Sequence, residues 1–197
     1  MSSLLVSLIV FVFAASFTPG PNNIMLTASG VNFGFQRTIP HMVGIIVGFP
    51  VMILLVGFGL GQVFVIIPQL HDILKWLGSA YLLFLAWKIA TAARHKQGTY
   101  ETKPLSFYQA ALFQWVNPKG WIMSIAALAN YTTVDQNHLA QTLLVAGVFF
   151  LMSLGATTSW SLFGALIGRW LQSYVALRIF NGAMALLIVA SIVLLYL

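Results

Sequence analysis

The sequence predicts an all-α integral membrane protein with six transmembrane helices, from its composition and from the length and pattern of its apolar segments. The 197 residues are 60% hydrophobic and 6% charged, with a mean hydropathy of +0.94. Nine basic and three acidic side chains are too few to cover a soluble globule of 21.6 kDa. Six segments reach the roughly 20 apolar residues that a helix needs to cross a bilayer. They are, approximately, 4–31, 39–67, 70–92, 106–130, 139–167 and 175–197.

Each segment is continuously apolar rather than alternating, which favours a helical bundle over a β-barrel. The first segment follows M-S-S with no Lys or Arg, so we interpret it as a retained helix and not as a signal peptide. Cysteine is absent, which excludes disulfides and thiolate metal sites. In a membrane protein the net charge of +6 reports loop asymmetry, and nucleic-acid binding is not expected.

The long charged stretch at about 94–105 divides the single transmembrane domain, residues 1–197, almost in half. Repeat 1 covers about 1–93 and repeat 2 about 106–197, with three helices in each. An odd number of helices gives the halves opposite orientations, as in inverted repeats. The register between the halves stays open, because a shift of 99 residues pairs Pro19 with Pro118 and a shift of 97 pairs Pro21 with Pro118.

The distribution of Lys and Arg predicts the orientation, because basic loops are retained in the cytoplasm. An extracytoplasmic N-terminus leaves only Lys75 at the outer face. It places seven basic residues at the inner face: Arg37, Lys88, Arg94, Lys96, Lys103, Arg169 and Arg178. Both termini are then expected outside the cytoplasm.

Two prolines, a glycine and two asparagines interrupt the first segment in the stretch T-P-G-P-N-N. Proline lacks the N–H of a helical hydrogen bond and clashes with the preceding turn, so the helix is expected to break here. Broken backbone at membrane depth must be buried in protein or line a wet cavity. The resumed helix would offer N–H groups to a carboxylate, and the freed carbonyls and amide oxygens suit an ammonium. The candidate binding residues are Thr18, Pro19, Gly20, Pro21, Asn22 and Asn23.

The fourth segment contains a similar break, N-P-K-G, with candidate binding residues Asn117, Pro118 and Lys119. Lys119 lies about a dozen residues from either end of its segment, close to the expected midplane. A lysine there costs about 3 kcal/mol or more unless it faces water or a partner. The three acids, Asp72, Glu101 and Asp135, map to loops or helix ends. Lys119 therefore either binds a substrate carboxylate or donates to carbonyls that the breaks release.

A single proline kink is often purely structural, but paired breaks in the two halves of a chain are typical of transporter sites. His41 and Lys119 are the candidates for a proton relay, and an ordinary interface role for His41 stays open. The spacings Gly44–Gly48 and Gly164–Gly168 fit close helix approach, within the bundle or between protomers, so a homodimer is possible.

The phrases T-P-G-P-N-N, G-S-A-Y-L-L-F-L-A-W-K-I-A and F-Q-W-V-N-P-K-G-W together resemble the lysine-exporter (LysE) superfamily, in its homoserine/threonine-resistance branch. Within it, A-W-K-I-A-T and F-Q-W-V-N are similar to the cysteine and O-acetylserine exporters. The resemblance covers essentially the whole chain and implies a bacterial inner-membrane amino-acid exporter driven by the proton motive force. Many relatives carry an acid in the helix-2 region, and its absence here argues against a cationic substrate such as lysine.

The residues and the resemblance together predict alternating-access export of small neutral zwitterions, with the amino acid and the lipid bilayer as partners. No cofactor or metal is expected. An intramembrane enzyme lacks the necessary acid pair or nucleophile, and a metal exporter lacks a ligand cluster. A channel or a structural membrane subunit stays open, because broken helices also build pores.

Overall fold

The computed structural model describes residues 2–61, 66–67, 69–92, 103–133, 137–171, 173–193 and 196, and all its regular elements are helices. A short π-helix, Val56–Leu60, continues α3. The α-helices are α1 (Ser2–Phe17), α2 (Pro21–Phe33), α3 (Phe35–Leu55), α4 (Gln69–Ala90), α5 (Phe107–Val116), α6 (Pro118–Tyr131), α7 (His138–Trp170) and α8 (Tyr174–Val193).

The described helices coincide with the six apolar segments of the sequence. Four are long and apolar enough to cross a membrane: Phe35–Leu60, Asp72–Ala90, His138–Trp170 and Tyr174–Val193. The pair α1 and α2 adds a fifth span if the two are counted together. Helices α5 and α6, at 10 and 14 residues, are each shorter than the thickness of a bilayer requires. The chain is therefore a multi-pass helical membrane protein, and the sixth span stays a prediction.

Proline sets both predicted breaks. Pro21 and Pro118 each occupy the first turn of the helix that follows, where the missing N–H costs nothing. Helices α1 and α2 meet at 51° across residues 18–20. Between α5 and α6 only Asn117 leaves the helical conformation, with φ −85° and ψ 108°. The interruptions of the first and fourth segments are thus confirmed.

Helix α7 packs on α1, α2 and α3. Glycines make these approaches possible, because a Cβ on Gly164 would lie within 3 Å of the Thr27 backbone and one on Gly168 within 3 Å of the Val31 carbonyl oxygen. Gly48 does the same between α3 and α5, where a Cβ would lie 2.7 Å from the Ala111 Cα. The predicted close approach is confirmed, within one chain.

An amide pair, buried Asn181 and half-buried Asn32, ties α2 to α8. The Asn32 Nδ2 donates to the Asn181 Oδ1 at 2.8 Å, and the Asn181 Nδ2 returns a bond to the Asn32 Oδ1 at 3.0 Å. Asn181 also donates to the Ala92 carbonyl just beyond α4, at 2.9 Å. Hydrogen bonds from Asn181 therefore join α8 both to α2 and to the residues that follow α4.

Basic residues gather at the end of the bundle where α2 ends. Lys88 and Lys103 line one cleft there and Arg37 and Arg169 line another, and Asn32 and Phe33 belong to both. Lys75 lies instead over the Tyr196 ring, 4.0 Å from its centroid. This grouping agrees with the distribution predicted for one membrane face. Arg94, Lys96, Glu101 and Asp135 lie outside the described residues.

Candidate functional site

The two breaks meet inside the bundle. The Lys119 ammonium, in the first turn of α6, donates a hydrogen bond to the Thr18 carbonyl in the first break, with Nζ and O 2.9 Å apart. The two residues are 101 positions apart in sequence. Of the two partners expected for Lys119, a substrate carboxylate or a carbonyl released by a break, the structure therefore shows the second.

Asn23 satisfies the carbonyls that the end of α1 leaves without helical partners. Its Nδ2 donates to the Ser16 carbonyl at 2.8 Å and to the Thr18 carbonyl at 3.0 Å. The Thr18 carbonyl thus accepts from both Asn23 and Lys119. The Thr18 hydroxyl turns away from this junction and donates to the Ala14 carbonyl. Thr18 therefore takes part in the site through its backbone.

Asn22 pairs with Gln114, which was not among the site residues predicted from the sequence. Its Nδ2 donates to the Gln114 Oε1 at 2.8 Å, and the Gln114 Nε2 donates back at 3.3 Å and to the Ala110 carbonyl at 2.8 Å. Gln114 is fully buried. Its position in F-Q-W-V-N could have indicated this role, because Gln114 lies one helical turn before Asn117 and on the same face of the span.

Gly20 is required for space rather than for its backbone freedom. Its φ of −176° and ψ of 176° are extended values that other residues adopt. A Cβ on Gly20 would lie 2.9 Å from the Lys119 Cδ and 3.2 Å from its Nζ. The missing side chain is what lets the lysine stem cross the first break.

A cavity of about 60 Å³ adjoins this junction. A space of about 10–15 Å³ by the same measure holds one water molecule, so the cavity holds several. The Asn117 side chain lines it, and its Oδ1 is buried with no hydrogen-bond partner among the described residues. The lining residues are Ala15, Ser16, Gly20, Asn22, Asn23, Ile45, Phe49, Asn117, Lys119, Gly120, Met123, Phe149, Ser153, Ala156 and Thr157. We call it the central cavity.

Five of the predicted site residues line the central cavity: Gly20, Asn22, Asn23, Asn117 and Lys119. The three prolines, Pro19, Pro21 and Pro118, shape the breaks without lining it. The contributions of α7, Ser153 and Thr157, were not predicted from sequence. Their spacing of four residues places them on one face of that helix, which is the signal that could have revealed them.

His41 lies elsewhere. Its ring is 1% exposed, and neither ring nitrogen has a hydrogen-bond partner among the described residues. It lines a second cavity, toward the basic end of the bundle, and not the one beside Lys119. The two candidates for a proton relay therefore face different spaces.

The central cavity offers groups for both charges of a zwitterion. Lys119 can donate to a carboxylate, as can the Asn22 and Asn23 N–H groups in the first turn of α2, which have no helical acceptors. The Asn117 Oδ1 and the Thr18 carbonyl can accept from an ammonium. Among the described residues, no Asp or Glu lines the cavity. Within the described ranges no cluster of three or more His, Asp or Glu side chains suits a metal ion.

Comparison with known proteins relates nearly the whole chain to one family. The model of the LysE type translocator family matches residues 13–197. Proteins named cysteine/O-acetylserine efflux protein, from Escherichia coli O1:K1 / APEC and Escherichia coli K12, are 32% and 31% identical to this chain over 182 residues. That alignment covers 91% of this chain and 90% of each relative. No solved structure matches the chain.

Proposed function

The chain belongs to the LysE type translocator family, and we propose that it exports amino acids or close derivatives across the bacterial inner membrane. Small neutral zwitterions are the favoured substrates. The proposal depends most on one observation, the Lys119 ammonium bound to the Thr18 carbonyl beside a cavity that both breaks line. In a membrane protein, paired broken helices around a polar cavity are typical of a transport site.

Binding would occur by exchange of partners. The substrate carboxylate accepts hydrogen bonds from Lys119 and from the N–H groups at the start of α2, and the bond from Lys119 to the Thr18 carbonyl breaks. The substrate ammonium donates hydrogen bonds to the Thr18 carbonyl and to the Asn117 Oδ1, which has no partner among the described residues. Every polar group of the zwitterion then has a partner, which offsets its desolvation.

The lining of the cavity supports a small neutral side chain. A second cationic group on the substrate would need an acid, and no acid of the described ranges lines the central cavity. Apolar side chains, Ile45, Phe49, Met123 and Phe149, surround the remaining space instead. Cysteine and O-acetylserine, which the names of the relatives print, carry uncharged side chains of this size.

Alternating access by two inverted three-helix halves is part of the proposal. The packing of whole segments supports two related halves. The first segment packs on the fifth, through α2 and α7. The fourth segment packs on the second in the corresponding way, through α5 and α3. The third and sixth segments, α4 and α8, pack on each other. Both termini would be extracytoplasmic, and a homodimer is compatible with this arrangement. Proton coupling would use Lys119 or His41.

Counterflow of labelled O-acetyl-L-serine and L-cysteine in proteoliposomes tests the proposal. Lys119→Met keeps the aliphatic stem and removes the charge, and we expect it to abolish counterflow while the protein stays folded in the vesicles. Lys75→Met is the matched control, since Lys75 contacts Tyr196 outside the cavity, and it should leave counterflow unchanged.

The same assay separates the alternatives. Saturable flux that an unlabelled amino acid accelerates from the opposite side requires a carrier. Flux that rises linearly with concentration would indicate a channel, and no flux for any amino acid would favour a structural subunit. Full activity of Lys119→Met would refute the assigned binding mode.

A further inference from the structure

A second cavity, of about 80 Å³, lies between α2, α3, α4 and the residues that precede α5. Its walls are mainly apolar, from residues such as Met25, Leu85 and Ile89, and Lys88 and Lys103 lie at its exposed rim. Ser29 and His41 supply polar groups inside it. We call it the inner cavity.

Two polar side chains that line the inner cavity, those of Ser29 and His41, have no hydrogen-bond partner within the described part of the chain. Asn32 also lines it but is bonded to Asn181. The Ser29 Oγ and both nitrogens of His41 are buried and make no hydrogen bond. Ser29 is 6% exposed and His41 is 1% exposed. An unpaired buried polar group destabilises a fold, so two side chains in one cavity with three such atoms indicate an interaction that this conformation does not contain.

The inner cavity lies along the same two helices as the central cavity. On α2, Asn22 lines the central cavity and Ser29 the inner one, and seven residues of helix separate them by about 10 Å. On α3, Ile45 lines the central cavity, and His41, one turn earlier, lines the inner cavity. Buried Leu26 occupies the intervening turn of α2. The two cavities are therefore neighbours along one direction through the bundle, with an apolar barrier between them.

We propose that the inner cavity is a second binding site, which takes the carboxylate of the transported amino acid before it reaches the central cavity. This assignment rests on the proposed export function. The Ser29 hydroxyl and one His41 N–H donate to the carboxylate, and the lysines at the rim attract it from solution. The apolar wall accommodates a small uncharged side chain. In the expected orientation this site faces the cytoplasm, the side from which an exporter collects its substrate.

Two substitutions separate a binding role from a structural one. Ser29→Ala and His41→Leu each remove unpartnered polar atoms, so a merely structural role predicts an unchanged or higher melting temperature and unchanged transport. If the groups bind a carboxylate, each change raises the half-saturating substrate concentration on the inner side by about tenfold or more, as expected for the loss of a hydrogen bond to a charged group. Ser161→Ala is the matched control, because its hydroxyl is also buried and unpartnered but lines neither cavity.

The experiment measures efflux of O-acetyl-L-serine from proteoliposomes of phosphatidylcholine, with protein oriented by a sidedness assay. Calorimetric titration of the purified protein counts bound ligands, and we expect two per chain, reduced to one in His41→Leu and Ser29→Ala. If the wild-type protein carries no amino acid, the export function itself fails. If it carries substrate with one site, and both variants match Ser161→Ala, the inner site is refuted and the export function stands. Variant effects that occur only when anionic lipid is added would mean that the cavity holds a lipid headgroup, which also refutes the assignment.

Discussion

Replacing Gly20 by alanine tests whether the position of the Lys119 ammonium, and not merely its presence, supports transport. The extended backbone at Gly20 accepts alanine without strain. The new methyl group would lie 2.9 Å from the Lys119 Cδ and 3.2 Å from its Nζ, closer than carbon atoms normally approach. Because the end of a lysine side chain is flexible, it will move and the fold will not.

The displacement has a calculable consequence. Ordinary van der Waals contact begins at 3.4 Å, so the stem must move by about half an ångström to accommodate the methyl group. The hydrogen bond from Nζ to the Thr18 carbonyl, now 2.9 Å, then approaches the length at which such bonds fail. The displaced Nζ is equally out of place for the substrate carboxylate that replaces Thr18. Losing a hydrogen bond to a charged group costs about 1.5–3 kcal/mol, which corresponds to roughly a 10- to 100-fold weakening of substrate binding.

Counterflow in proteoliposomes measures this loss as a higher half-saturating concentration of O-acetyl-L-serine, and thermal unfolding in detergent checks the fold. Gly147→Ala is the matched control, because a Cβ there meets no atom within 4 Å and alanine favours the helix. We expect Gly147→Ala to transport like the wild type. A Gly20→Ala protein with the wild-type half-saturating concentration would refute the role assigned to the lysine position.

Two further predictions concern the helix contacts that support the site. Gly164→Val should lower the melting temperature by several degrees, because its side chain meets the Thr27 backbone and overpacking costs about 1–3 kcal/mol. Asn181→Leu should cost about 2 kcal/mol, since it removes both hydrogen bonds between Asn181 and Asn32 and the bond to the Ala92 carbonyl, and thermal unfolding again measures it.

One result would contradict each of these two stability predictions. Gly147→Val adds the same side chain to α7 where no neighbour crowds it, so an equal loss in both valine variants would mean that helix propensity, and not the contact with α2, limits stability. An Asn181→Leu protein as stable as the wild type would mean that the amide pair is replaceable by apolar packing, as buried polar pairs sometimes are.

Proline chemistry made the breaks predictable from sequence. Pro19, Pro21 and Pro118 remove helical hydrogen bonds wherever the chain folds, so the interruptions follow from local rules. The small-residue spacings on α3 and α7 likewise predicted close contacts, because a missing side chain permits approach in any bundle. Local constraints of this kind are visible in a sequence.

The partners of the polar side chains were not predictable. Which carbonyl Lys119 reaches depends on the 51° bend between α1 and α2 and on the packing of distant segments. Asn22 and Asn23 were both assigned to a ligand, yet their amides bond to Gln114 and to the end of α1. A sequence shows which side chains need partners, but only the tertiary fold decides which partners they find.

In the proposed binding mode, a neutral partner suits Lys119 better than an acid would. A buried carboxylate paired with the ammonium would hold it strongly, and a substrate would have to break that pair. A neutral carbonyl holds it less strongly, because hydrogen bonds between two charged groups are shorter and stronger than those to a neutral acceptor. A substrate carboxylate can therefore displace Thr18, and the substrate ammonium can occupy the carbonyl that becomes available. In this proposal the zwitterion replaces a hydrogen bond of Lys119 by an ion pair, and no ion pair within the protein has to break first.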